Sequence, residues 1–547
     1  MYDVIIIGCG IIGAAAAYEL SKYDLRIAVL EKENDIAAAT TKANSAIIHA
    51  GFDPKPGTLM ARLNVEGNAL ARELFKKLDI PHRECGALVL AFSREEMATL
   101  NMLLQNGITN GVPGLRILSR EQALELEQNL NPGVVGALET PTAMIVSPWE
   151  YTLALAETAV LNGVELYREC EVVGIEATND GYVVQNKIPG RQDAVPTNTT
   201  PVGTAAHVGA ASCRPQTCTN MKTRFVINAA GLYADKINNM VSHQNFEILP
   251  DRGEYFLLDK SEGSRVGRII FQCPTAAGKG VLVAPTVHGN LIVGPSSVAA
   301  DSRDDVSTTA EMLERVKTAA QKSVPDIDFR ANIRNFAGIR AKTARRDFII
   351  EETRPGFINL AGIASPGLSA APAIAKMAAE MVTRGLFPAC HASVIASETK
   401  QSSKSAVEKT SGLPRRYAPR NDEQNQLSLP FRYKSNDGPC RIRFNELSPA
   451  QKSDLISRDP AYGNIVCRCE TITEGEIRDT LNSPIPPRSV DGVKRRTGAG
   501  MGRCQGGFCS PRIVEMLANH YNYSPLEILQ EGTGTEILMA ETKGAAT

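Results

Sequence analysis

The chain has 547 residues, with 59 Lys and Arg set against 60 Asp and Glu for a net charge of −1. That length exceeds one core and predicts two to four domains, and the balanced charge excludes the electrostatic footprint of a nucleic-acid or anionic-membrane binder. No apolar run approaches the roughly 18 residues of a transmembrane helix. No charged, apolar and cleavage-site series precedes the first strand either, so the expected location is cytoplasmic, with attachment at a membrane only through partners.

Residues 3–8 (DVIIIG) read as a strand buried on both faces, 11–22 as a helix packed on it, and 27–31 (IAVLE) as the next buried strand, a βαβ opening. Helical patterns follow at 59–78, 120–128 and 149–162, then the strands VELYRE (164–169) and RFVINAAG (224–231). From about 247 to 335, EYFLL, GVLVAP and NLIVG alternate with turns, which predicts an antiparallel sheet over a substrate pocket. FINLAG (357–362) and a helix over 372–386 resume the α/β pattern. Residues 188–221 are rich in Pro, Thr, Gly and Ala, and 388–426 in Ser, Lys and Arg; neither has a helical or strand period. Both read as solvated insertions, which cost little in loop closure, so Cys213, Cys218, His207 and His391 inside them are discounted as ligands.

Gly8, Gly10 and Gly13 form G-x-G-x-x-G between that first strand and its helix. The first glycine permits the tight turn, the second lets backbone approach a pyrophosphate, and the third lets helix and strand pack closely. The helix N-terminus offers free N–H groups and a positive dipole end, with Ile12 in its first turn. Glu31 ends the second strand, where a carboxylate accepts from ribose hydroxyls, and Lys32 follows it. These features specify a dinucleotide without choosing between FAD and NAD.

Three later segments resemble the D-amino-acid-oxidase-like FAD oxidoreductase superfamily, which includes FAD-dependent glycerol-3-phosphate dehydrogenases. AAATTKANSAIIHAG (37–51) is similar to the loop under the flavin, FVINAAGLYAD (225–235) to the second FAD-contacting strand and turn, and GIASPGLSAAPAIA (362–375) to the C-terminal loop whose helix faces the flavin pyrimidine. The resemblance implies FAD, held by Gly8, Gly10, Ile12, Gly13, Glu31, Lys32, Thr40, Thr41, Asn44, Ser45, His49, Val172, Ala230, Gly231, Gly362, Gly367, Leu368 and Ser369. It implies a Rossmann-type FAD-binding domain (about 1–80, 150–240 and 337–387) interleaved with an α+β antiparallel-sheet substrate domain (about 81–149 and 241–336), the whole spanning 1–387. A linker over 388–430, an iron–sulfur domain over 440–530 and a tail over 531–547 complete the expected α/β architecture.

Chemistry in that superfamily is hydride transfer to flavin, so the protein must orient the substrate carbon, hold its anion and accept a proton. Arg340, in FAGIRAKTARRD, stands where relatives carry an arginine that grips phosphate or carboxylate, whereas Arg345 and Arg346 read as solvated. His49 is placed to relay a proton beside the flavin, or to make a structural hydrogen bond. Arg252, Glu254 and Tyr255 in DRGEYFLLD resemble a pocket-lining strand of glycerol-3-phosphate and L-2-hydroxyglutarate dehydrogenases, with Arg252 and Tyr255 as candidate catalytic groups. His288, in the turn TVHGN, reads as hairpin surface.

Four of the twelve cysteines cluster as Cys467-x-Cys469 and, after 34 residues, Cys504-x4-Cys509. Four converging thiolates suit a 2Fe-2S cluster or a structural zinc. Gly498, Gly500, Gly502, Gly506 and Gly507 favour the cluster, because they let backbone N–H groups turn towards bridging sulfides. Helix signals flank the ligands: Ser510-Pro511 and the capping boxes Thr473…Glu476 and Ser524…Glu527. CRCE…GRCQGGFC resembles the bacterioferritin-associated-ferredoxin-like 2Fe-2S domain and helical surroundings. Together the resemblances imply oxidation of a small anionic substrate, sn-glycerol 3-phosphate, to dihydroxyacetone phosphate, with electrons leaving through the cluster to a partner flavoprotein or membrane-linked carrier. A dehydrogenase of L-2-hydroxyglutarate or another 2-hydroxy acid, an amine or amino-acid dehydrogenase, and a redox-inert cofactor-binding subunit are the competing readings.

Overall fold

A computed structural model describes residues 1–188, 217–243, 245–274, 280–387 and 441–540. Residues 189–216 of the first expected insertion (188–221) and the whole of the second (388–426) lie outside the described residues. At the centre of the first sheet the strand Tyr2–Ile7 pairs in parallel with Ile27–Leu30 on one side and Thr217–Asn228 on the other. Glu165–Tyr167 extends it beyond Ile27–Leu30, while Phe357–Ala361 and Ile349–Arg354 extend it beyond Thr217–Asn228. Val4, Ile5 and Ile6 are fully buried, as expected of a parallel sheet covered on both faces. The covering layer is the helix Ile11–Leu20, whose run Ala14–Ala17 lets Pro148–Leu161 and Gly367–Leu386 pack closely upon it.

The long strand Thr217–Asn228 belongs to two arrangements. Its second half lies in the parallel sheet, and its first half pairs antiparallel with Gly181–Ile188, from Tyr182↔Thr223 out to Ile188↔Thr217. Residues 217–221, expected within an insertion, are therefore strand, because the hairpin ladder satisfies their backbone groups. The last helix of this half starts at Gly367, with Pro372 inside it, rather than at Pro372.

Among the described residues the second sheet has nine strands. Its spine is the antiparallel pair Leu249–Leu258 and Asn332–Lys342, in register from Leu249↔Lys342 to Leu258↔Asn332. Gly338 on that second strand abuts the loop of the first half: a Cβ there would lie 1.9 Å from the Ala43 carbonyl oxygen. The two halves meet at this point.

Residues 441–540 fold round a small core in which Ile477, Val493, Ile513 and Leu517 are fully buried. The expected capping boxes are formed: Thr473 and Glu476 start the helix Glu474–Leu481, and Ser524 and Glu527 start a short turn. The described part of the segment expected as a tail, 531–540, is folded back at its start, with Gln530 N–H donating to Thr535 O at 2.7 Å and Leu529 bridged to Glu536. This domain lies against the oxidoreductase through ion pairs. Asp35, fully buried, meets Arg496 at 2.7 Å and Arg495 at 2.9 Å, with Arg168 at 3.9 Å. Burial would raise the Asp35 carboxyl, but Arg496, Arg495 and Arg168 hold it well below the usual carboxylate range. Arg441–Glu157 and Arg488–Glu169 add contacts at 2.9 Å each, and Lys260–Glu470 one at 2.7 Å.

His288 is not bare hairpin surface. Its Nε2 stands 3.0 Å from Glu150 Oε1, and Arg443 reaches the other oxygen of Glu150 at 3.6 Å. Burial opposes the charged imidazole, yet the Glu150 hydrogen bond raises its pKa; burial likewise opposes the Glu150 anion, which His288 and Arg443 lower to about 2. The stability from His288 is therefore complete below its ordinary value of about 6.5 and is lost as pH rises through the raised one; that from Glu150 is lost only as pH falls from about 4.3 towards about 2. The His288 side chain is 39% exposed, so solvent screens the pair. His288→Gln is expected to lower the melting temperature slightly at about pH 6 and by less at about pH 8.5, checked by thermal unfolding of both proteins across that range.

Candidate functional site: a dinucleotide cradle and a cysteine cluster

The glycine loop is a cradle that side chains cannot enter. Gly8 has φ +94°, and a Cβ on it would lie 2.6 Å from Ala229 O; a Cβ on Gly13 would lie 2.0 Å from Gly8 O. Gly10 caps the helix Ile11–Leu20 without any side chain of its own, so the first-turn N–H groups face the loop. One of them, Ile11 N–H, donates to Thr41 Oγ1 at 3.1 Å. Glu31 accepts from Cys9 N–H at 2.7 Å and from Glu33 N–H at 3.0 Å, and burial pushes its carboxyl up to about 7 against those bonds. Lys32 lies over the Tyr233 ring at 4.1 Å. Ala230 and Gly231 form the turn beyond Thr217–Asn228, and Gly231 takes φ +54°. Behind that turn Asn228 donates to Asn359 at 2.7 Å, and Asn359 to Asn238 at 2.9 Å. Val172 puts its side chain into the core beside Ile5 and Ile7, so only its backbone is available to a ligand.

The segment 40–51 runs between the two halves. Thr40 Oγ1 donates to Ile339 O at 2.7 Å, which commits its hydroxyl to the substrate-side strand. Asn44 donates to Thr41 O and accepts from Ala46 N–H, both at 2.8 Å, fixing a turn in which Ala46 has φ +57°. Ser45 Oγ lies 3.1 Å from the Tyr255 hydroxyl. His49 donates its backbone N–H to Ser369 Oγ at 2.7 Å and its carbonyl accepts from Asn68 at 2.9 Å, while its ring stacks on Phe271 at 5.4 Å. Gly362 takes φ +65° before the turn into the helix Gly367–Leu386, whose cap, Pro366, offers no side-chain acceptor. Gly367, Leu368 and Ser369 thus present a second helix N-terminus towards His49. Two such termini and a cradle closed to any Cβ suit a pyrophosphate and an anionic flavin ring.

Strand alternation divides the predicted catalytic residues. The pairs Asp251↔Arg340, Gly253↔Gly338 and Tyr255↔Phe336 share one face. There Arg340 Nε stands 2.8 Å from Asp251, and Arg340 Nη2 donates to Ser296 O at 2.7 Å. Gly253 leaves the room: a Cβ on it would meet Arg340 Nη2 at 2.7 Å. Tyr255 is 4% exposed and stacks on Phe336 at 4.8 Å; burial raises its hydroxyl pKa, so it remains a proton donor. Arg252 points to the opposite face, where it is tied to Asp305, to Ser307 at 3.1 Å and to Glu254 at 3.5 Å. Period-two geometry separates Arg252 from Arg340 and Tyr255.

The four cysteines come together in two pairs. Cys469 and Cys504 have their sulfurs 3.6 Å apart near the surface, and the buried Cys509 hydrogen-bonds to Cys467, holding that thiol below its ordinary value. Gly500 N–H donates to Cys467 Sγ at 3.5 Å, and a Cβ on Gly502 would lie 2.3 Å from Cys469 Cβ. The four sulfurs are presented as two neighbouring pairs at one site. Two pairs of thiols fit two irons.

The strand Asn332–Lys342 touches both places. Arg334 donates to Gln505, next to Cys504, at 3.5 Å, and four residues on Gly338 abuts Ala43. At about 3.3 Å per residue that is a span of roughly 13 Å. Sequence reading missed Asp35, Arg495 and Arg496; a carboxylate in the apolar run NDIAAA and the doublet in VKRRT were the available signals. Gly13→Ala is expected to yield protein without flavin absorbance, since no shift of a flexible side chain can clear the Gly8 carbonyl. Cys469→Ser is expected to lose iron and acid-labile sulfide while keeping flavin, as read by chemical assay of the purified protein.

Residues 3–381 match the family FAD dependent oxidoreductase (DAO), and residues 465–519 match the BFD-like 2Fe-2S binding domain. A glycerol 3-phosphate dehydrogenase of Caloramator mitchellensis is 44% identical over 99% of both chains. A glycerol 3-phosphate oxidase of Mycoplasma genitalium is 35% identical over 70% of this chain and 94% of its own. The solved L-alpha-glycerophosphate oxidase of Mycoplasma pneumoniae, described as dithionite reduced with FAD bound, superposes with a TM-score of 0.62 at 32% identity, over 70% of this chain and 94% of that one. By these matches this chain belongs to the FAD dependent oxidoreductase family and carries a BFD-like 2Fe-2S domain behind it.

Proposed function

We propose that the protein oxidises sn-glycerol 3-phosphate to dihydroxyacetone phosphate and sends the electrons out through its iron–sulfur domain to an external acceptor. The observation that carries this reading is the 44% identity, over 99% of both chains, to a glycerol 3-phosphate dehydrogenase. FAD held there would supply the acceptor for a hydride from the substrate carbon.

Arg340 is the proposed anchor for the phosphate. Asp251 and the Ser296 carbonyl fix its guanidinium on the face shared with Tyr255, so little side-chain freedom is lost when an anion arrives. His49 is the proposed acceptor of the hydroxyl proton: Ser369 and Asn68 pin its backbone, and Phe271 sets its ring plane. Tyr255 is proposed to hold Ser45 and the loop 40–46 rather than the substrate, because its hydroxyl already meets Ser45 Oγ. Gly8, Gly10, Gly13 and Glu31 would hold the adenosine and pyrophosphate end, and Gly367, Leu368 and Ser369 the flavin end. Cys467, Cys469, Cys504 and Cys509 would hold the cluster, and a partner flavoprotein or membrane-linked carrier would receive its electrons. No described helix is long and apolar enough to cross a membrane.

Anaerobic addition of glycerol 3-phosphate is expected to bleach the visible flavin band, and L-2-hydroxyglutarate or an amino acid to leave it unchanged. The reverse pattern rejects the assignment. Arg340→Ala is expected to lower kcat/KM by about 2–4 kcal/mol in transition-state terms, mostly through KM, because a charged anchor is lost.

A further inference from the structure

The ion pairs between the C-terminal domain and the oxidoreductase form a chain that ends in the flavin-side loop. Arg496 grips both oxygens of Asp35 at 2.7 Å. Arg495 gives one arm to Asp35 and the other to Glu531, both at 2.9 Å. Glu531 in turn meets Lys42, and its carbonyl accepts from Asn34. Lys42 closes the turn Thr40–Lys42, whose Thr41 takes the Ile11 N–H and whose neighbour Ala43 abuts Gly338. Asp35 and Lys42 therefore bracket the run that leads from Glu31 to the loop 40–46, and the same two arginines hold the helix Val490–Thr497 next to the cysteine cluster.

We infer that Asp35 is a positioning residue: with Arg495, Arg496 and Glu531 it fixes the iron–sulfur domain in one register on the flavin domain, and electron transfer between flavin and cluster requires that docked state. Buried ion pairs add little net affinity, because desolvation cancels much of their attraction, but they punish every wrong register. Affinity is scarcely needed here, since the tether supplies a high effective concentration. What the pairs contribute is geometry. The strand Asn332–Lys342 then spans the two centres, with Arg334 on Gln505 at one end and Gly338 on Ala43 at the other. The inference rests on the oxidoreductase reading above. Substrate oxidation releases two electrons and two protons; the flavin passes the electrons singly, each reducing one ferric centre. A one-electron oxidant outside the chain removes the first before the second follows, and the protons leave to solvent.

The test uses full-length holoenzyme with flavin, iron and sulfide content verified, as wild type, Asp35→Asn and Glu531→Gln. Glu531 is partly exposed, so its variant is expected to fold even where Asp35→Asn does not. Flavin is reduced anaerobically in two ways, by glycerol 3-phosphate and by light with a photoreductant; bleaching is followed optically and cluster reduction by rapid-freeze paramagnetic resonance. Bleaching by substrate is expected to keep its wild-type rate, while cluster reduction slows by about tenfold or more in Asp35→Asn and by less in Glu531→Gln, the scale on which misplacement of reacting groups acts. Cluster reduction at the wild-type rate in both variants overturns the inference. So does an equal fall in both phases, which would place Asp35 in the flavin site. If substrate fails to bleach even the wild type, the functional assignment falls, and the photoreduced samples still decide the docking question.

Discussion

Everything in the oxidoreductase half is hung on one close approach, that of Gly13 to the Gly8 carbonyl. Because no side chain intervenes, the helix Ile11–Leu20 sits hard against the end of its strand, and the same tightness brings Ala229 to Gly8 from the neighbouring strand. The consequences spread outward. The buried alanines of that helix let two further helices close over the sheet, and one of these, Gly367–Leu386, presents its first turn to His49 from the other side. Loosening the first contact would displace both helix termini at once. A site that depends on two dipole ends aimed at different parts of one ligand therefore has a single mechanical origin.

The parts of the fold that were legible in the sequence are those whose signal is local. Buried strands announce themselves as apolar runs, so Tyr2–Ile7 and Ile27–Leu30 could be read within a residue or two. The capping boxes at Thr473 and Ser524 could also be read, because both partners lie within one turn. Spacing likewise picked out the four cysteines, and the glycines around them already favoured two irons over one zinc.

Where sequence reading fell short, the deciding contact was distant. Arg252 and Tyr255 look equivalent on paper; three residues apart on a strand, they face opposite ways, and only the register with Asn332–Lys342 shows which face carries Arg340. His288 reads as turn surface until Glu150, far away in the chain, is brought under it. Asp35 and Arg496 lie more than 400 residues apart, and neither carries a local pattern that betrays the other. The strand residues 217–221 were hidden for a related reason: a polar composition is compatible with an edge hairpin, whose backbone bonds rather than its side chains supply the order.

The hairpin formed by Gly181–Ile188 and Thr217–Asn228 has a consequence for how the chain tolerates added length. It leaves the parallel sheet at Tyr182↔Thr223 and reaches Ile188↔Thr217 six residues later, roughly 20 Å away at ordinary strand rise. The stretch 189–216 is attached at that far end. Extra sequence there joins the far end of an antiparallel ladder that Glu171–Thr178 widens by pairing along Gly181–Ile188, and that end stands away from Gly8 and Ala229. Length added at this position is therefore attached well away from the glycine cradle.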